Sequence, residues 1–188
     1  MVIICSRQHS GCFGYKLPNY DSKRLVEAVV NMVPGRQLAT AHYYIGIPTR
    51  LDDPANNLWW TRKLAAMGRT GVKVETRPLK KRVLRIRLEG IANFDQTVPY
   101  LKEKGIVLKM GLDMVRMARS GSCDAVVLLS QDGDLVEAVA EIQAIAAEQR
   151  RRVTVGCAFP AAANVISWPI KMCKAIYDSC IDPTDYKL

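Results

Sequence analysis

Ser130, Asp132 and Asp134 occupy alternate positions in the stretch LLSQDGDLVE (128–137), where an apolar run gives way to a helical pattern. Two carboxylates so close together repel unless a divalent cation or a proton relieves them, so the pattern suits an ion site built from oxygen ligands. It suits a turn as well. Gly133 fits a tight bend, Asp134 fits the N-cap of a helix over 135–149, and Glu137 three residues later completes a capping box. Asp134 thus has a structural role available, whereas Asp132 has none without a cation. A third acid, Asp113, falls within a helical pattern over 105–120, beside the apolar residues Ile106, Met110, Met114 and Met117. A carboxylate placed there needs a cation nearby, which is either a metal ion or the side chain of Lys109 or Arg116.

The second chemistry is contact with a polyanion. The segment RPLKKRVLRIR (77–87) carries Arg77, Lys80, Lys81, Arg82, Arg85 and Arg87 and no acid. Its alternation suits a strand with one wet, basic face, which either lies along a phosphate backbone or guards a sheet edge by charge. No aromatic residue is interleaved in it, so the segment itself gives no sign of base stacking. The net charge of +9 favours a polyanionic partner and says nothing about fold.

The elements that must position these residues read as βα units. Residues 2–5 suit a buried strand. Asp21 caps a helix that sets Leu25, Val26, Val29 and Val30 on one face. Strands follow at 42–47 and 72–76 with a helix over 57–67 between them, and DAVVLLS (124–130) supplies a further strand. The class is α/β with a mostly parallel sheet. The carboxyl end of 124–130 delivers Ser130, Asp132 and Asp134 to the crevice where open parallel sheets place their ligands. The 188 residues suit a single domain, 1–188, with the basic segment as a strand or hairpin insertion at about 77–90. The tail over 166–177 suits a final strand or helix that packs or covers an edge in a possible homodimer.

Other classes are disfavoured. No apolar run approaches the roughly 20 residues of a membrane span, and MVIIC is too short for a signal-peptide core, so a cytoplasmic location without membrane attachment is expected. The six cysteines show no C-x-x-C spacing, which points to reduced thiols rather than zinc ligands or a disulfide framework. His9 and His42 lack an acid at helical or triad-like spacing and read as structural or surface residues. No glycine-rich phosphate loop occurs. Trp59, Trp60, Tyr43 and Tyr44 read mainly as core residues.

Five segments occur in order: FGYKLPNYD (13–21), YYIGIPTRLDDP (43–54), LAAMGRTGVKVETRPL (64–79), EKGIVLKMGLDMVRMA (103–118) and VVLLSQDGDLVEAV (126–139). Together they resemble the NYN domain family, which has the PIN-like ribonuclease fold. The resemblance implies a three-layer sandwich around the parallel sheet, with acids at its carboxyl end that bind magnesium or manganese and activate water against RNA phosphodiesters. By motif match it implies Asp113, Asp132 and Asp134 as metal ligands and catalytic acids, with Ser130 in support. The chain departs from the family pattern twice. Where the family's first strand ends in Asp, followed three residues later by Asn, this chain has Cys5 and Gln8 in ICSRQHSG. Where an Asp follows Lys-Gly at the head of the acidic helix, it has Val107. A thiolate is a poor exchange for a carboxylate when the ion is magnesium. Two functions follow: a metal-dependent RNA nuclease, helped by a further carboxylate such as Asp52, Asp53 or Asp95, or a catalytically impaired protein that binds nucleic acid or a protein partner.

Overall fold

The computed structural model describes residues 1–6, 19–87, 95–130, 132–159 and 169–187. Gln8 and His9 lie outside them, as do Gln131 and the first part of the expected terminal element. The chain runs β1 (Val2–Ser6), α1 (Ser22–Asn31), β2 (Thr40–Ile47), α2 (Pro54–Arg69), β3 (Val72–Pro78), β4 (Lys80–Arg87), β5 (Asp95–Lys102), α3 (Ile106–Arg119), β6 (Ala125–Leu129), α4 (Val136–Glu148), β7 (Thr154–Phe159), β8 (Pro169–Lys171) and α5 (Lys174–Ser179). Local chemistry sets several of these boundaries. The Asp21 side chain accepts from the amides of Lys23 and Arg24 and starts α1. Asp53 accepts from the amide of Asn56, and Pro54 fits the first turn, so α2 begins three residues earlier than the expected 57. Gly105, at φ 81°, turns the chain into α3 through the left-handed region.

The six-stranded sheet has the order β3-β2-β1-β6-β7-β8, and every pairing is parallel. From β1 the chain builds outward through β2 and β3, and from β6 it builds the other way through β7 and β8. The order therefore reverses between β1 and β6, the place where such sheets open a ligand crevice. Cys5 is fixed there by its backbone, opposite Tyr43 on one side and Leu129 on the other.

Alternation along β6 divides the interior. Ala125, Val127 and Leu129 pack with α1, α2 and α5 through Leu25, Val29, Leu64, Met67 and Tyr177. Val126 and Leu128 point the other way, onto Ile106, Met110 and Met114 of α3 and Val139 and Ile142 of α4. Both faces of the sheet are thus covered, as a parallel sheet requires. One buried cation sits at its margin. Lys63 donates to the Tyr20 carbonyl at 3.0 Å and pairs with Asp182 at 3.4 Å, tying the C-terminal segment to α2.

β4 and β5 form a separate antiparallel pair, in register from Lys80 opposite Lys102 to Arg87 opposite Asp95. β4 falls within the basic stretch at about 77–90 where a strand or hairpin is expected, and its partner β5 lies beyond that stretch. Among the described residues, no helix is long and apolar enough to cross a membrane.

Candidate nucleic-acid interface and acidic cleft

α3 presents Ile106, Met110, Met114 and Ala118 to the core, and Asp113 lies at the edge of that stripe with its side chain 15 % exposed. The required cation is supplied by the protein, twice. Lys109 donates to Asp113 Oδ2 from one turn earlier, and Arg116 Nη1 lies 3.2 Å from Oδ1. The Tyr44 hydroxyl, reaching down from β2, donates to Oδ2 at 3.0 Å. Lys109 also pairs with Glu75 of β3 at 3.6 Å. Burial works to raise the Asp113 pKa, but the hydrogen bonds from Lys109 and Tyr44 and the charges of Lys109 and Arg116 outweigh it and hold the carboxyl below its usual range. Burial, followed by the bond to Asp113, pushes the Tyr44 hydroxyl far up, so it is a neutral donor. His42, two residues before Tyr44 on the same face, has its pKa lowered by burial and by Lys73, and its ring nitrogens have no hydrogen-bond partner among the described residues.

The loop after β6 corrects one expectation. The side chain that caps is that of Asp132, which accepts from the Asp134 amide at 3.0 Å and opens a short 3-10 turn over Gly133–Leu135. α4 then starts at Val136 with no side-chain cap at all. Asp134 is not the N-cap, because the intervening turn moves the start of α4 beyond its reach. The buried Ser130 accepts from the Asp132 amide at 3.3 Å and so helps to shape this loop.

Asp132 and Asp134 line a cleft of about 780 Å³ between α3 and the start of α4, together with Glu103, Glu137, Val107, Leu108 and Leu112. Asp113 is not among its lining residues. The three acids are therefore divided, two on the cleft and one engaged beneath the sheet. Among the described residues, no group of three His, Cys, Asp or Glu side chains converges as metal ligands would. Asp113 meets three donors of the protein, and Asp132 accepts from one backbone amide. Glu103 is a member of the cleft that the sequence did not single out. Its Oε2 accepts from the Gly46 amide at 3.2 Å, and a Cβ at Gly46 would stand 2.6 Å from the Leu79 side chain and 2.9 Å from that of Glu103, so a larger residue there would have to displace them.

The basic hairpin borders the same cleft. Arg82, Tyr100, Lys102, Glu103 and Lys104 line a smaller hollow of about 310 Å³, and the last three of these also line the larger one. Of the expected phosphate-contact residues, Arg82 faces this hollow, while Lys81 pairs with Asp52 at 2.7 Å and anchors the hairpin to the loop after β2. Lys80 and Arg85 are exposed on β4, Arg77 is exposed near the end of β3, and Arg87 is placed by its backbone opposite Asp95. Tyr100 is the residue the basic segment alone could not reveal. It comes from β5 and lies opposite Arg82 in the ladder.

Residues 6–165 match the NYN domain family, and the chain belongs to it. Its fold is accordingly PIN-like, the framework of a nuclease-like class of proteins. No curated protein and no solved structure matches the chain.

Proposed function

We propose that this chain is an NYN-fold protein, arranged as the family's three-layer sandwich, that binds RNA through its β4–β5 hairpin and is impaired in metal-dependent cleavage. The observation that carries the reading is the continuity between the hairpin hollow and the acidic cleft through Lys102, Glu103 and Lys104. An RNA strand held at its phosphates by Lys80 and Arg82, which share one face of β4, leads from there towards Asp132 and Asp134, with Arg77 and, on the other face, Arg85 adding positive charge around it. Lys81 contributes positive charge while it remains tied to Asp52. Support for impaired cleavage comes from Asp113, whose carboxylate is already balanced by Lys109 and Arg116.

The competing reading is hydrolysis of RNA with magnesium or manganese held by Asp113, Asp132 and Asp134. It is favoured by Glu103 and Glu137 standing on the same cleft as Asp132 and Asp134. One experiment separates the two. Labelled RNA is mixed with the protein in magnesium or manganese and followed by gel shift and by denaturing gel. The binding reading expects a salt-sensitive shift with intact RNA. Cleavage that Asp132→Asn abolishes would establish the hydrolase instead.

A further inference from the structure

We infer that the hairpin selects single-stranded nucleic acid, with Tyr100 as the platform on which an unpaired base stacks; this rests on the proposal that the hairpin contacts nucleic acid. The ladder pairs Lys80 with Lys102, Arg82 with Tyr100 and Leu84 with Val98. Side chains two apart on a strand share a face, and cross-strand partners share it too, so these six residues form one surface. Three of them are cations. The other three are an aromatic and two aliphatics, and these remain open: Leu84 is 53 % exposed, Tyr100 42 % and Val98 36 %.

A surface meant only for solvent, or only for a phosphate backbone, gains nothing from exposing Tyr100 between Arg82 and Lys102. A strand with splayed bases uses both halves of it. Phosphates meet Lys80, Arg82 and Lys102, while a base lies on the Tyr100 ring with Val98 and Leu84 beside it. Stacking of this kind tolerates any sequence, because every base has a π-face. A duplex offers the same phosphates but hides those faces within its own stack, so Tyr100 adds nothing to its binding. The hollow lined by Arg82, Tyr100, Lys102, Glu103 and Lys104 gives the base a place beside the ring.

The test measures the affinity of the full chain for a short single-stranded RNA of mixed sequence and for the same strand annealed to its complement. Tyr100→Ile keeps an apolar strand-forming residue and removes the ring. It is expected to weaken single-strand binding about ten-fold or more and to leave duplex binding unchanged, while Tyr100→Trp retains both. A paired Lys80→Gln, Arg82→Gln variant is expected to weaken both. If Tyr100→Ile binds the single strand like the parent while the paired variant loses it, the stacking role is overturned and the hairpin reading stands. If the paired variant binds both forms unchanged, the hairpin reading falls and this inference with it.

Discussion

Lys109 and Asp113 meet ammonium to carboxylate one turn apart on α3, and the Tyr44 hydroxyl donates to the same carboxylate oxygen at 3.0 Å. This arrangement gives the acidic helix an internal counter-charge where a nuclease of this fold is expected to leave its acid open to an ion. The consequences can be measured as stability, as metal affinity and as local opening.

Asp113→Asn removes the charge while keeping the shape, and it is expected to cost about 1–2 kcal/mol at pH 7, read from urea unfolding. The sign with pH follows from the depressed carboxyl pKa. The contribution of Asp113 is present above the unfolded carboxylate value of about 4 and is lost as pH falls through the lower folded value. The parent and the variant should therefore converge in stability towards pH 2. A gap that stays constant down to that pH would show that charge is not what holds Asp113.

Val107→Asp restores an acid to the cleft that Asp132 and Asp134 line. The new carboxylate would lie in the first turn of α3, which has no acid at present, and it gains from the helix dipole. Manganese binding by calorimetry should become at least about ten-fold tighter than in the parent, without loss of thermal stability. Equal affinity in the two proteins would mean that Asp132 and Asp134 are not oriented to share an ion with residue 107.

Asp52→Asn releases the contact to Lys81, the ion pair that anchors the base of the hairpin. Hydrogen exchange of the β4 and β5 amides should quicken while α3 and β6 stay protected, because among the described residues the hairpin has no other sheet partner. The Lys81 and Thr49 hydrogen bonds hold the Asp52 carboxyl below its usual range, so acidification through that lowered value, well under the ordinary carboxylate value of about 4, should reproduce the effect in the parent. Unchanged exchange would assign the hairpin's position to other contacts.

Arg150 has a left-handed backbone, φ 49°, just beyond α4, a site where glycine carries no strain. Arg150→Gly is expected to stabilise the fold by about 0.5–1 kcal/mol, the relief of strain exceeding the added freedom of the unfolded chain. The midpoint of thermal unfolding should rise by roughly 1–4 °C. A lowered midpoint would mean that the arginine side chain contributes more than its backbone costs.

The parts of this fold that local pattern determines are legible in the sequence. Periodicity alone brings out α3, with Met110 and Met114 facing inward, and the apolar run of β6 reads as a buried strand. The division of labour between Asp132 and Asp134 was not legible in this way. A capping box and a 3-10 turn use the same residue types, and only the backbone path after Ser130 decides which carboxylate meets the amide. Tyr44 and Asp113 are 69 positions apart, so their contact follows from packing α3 beneath β2 and not from spacing. The pairing of Arg82 with Tyr100 likewise needs the register of a hairpin, which the charge run in β4 does not encode.

The central place of β1 in the sheet has a consequence during synthesis. Its neighbour β2 is complete by Ile47, but the other neighbour, β6, begins only at Ala125. At ordinary ribosomal speeds the second flank of β1 stays unpaired for on the order of ten seconds, an open strand edge on a nascent chain. The slowest step of folding is then expected to be the closure of β6 onto β1, a contact across more than a hundred residues. A chaperone that shields strand edges would act on this protein in that interval, before the crevice between β1 and β6 exists.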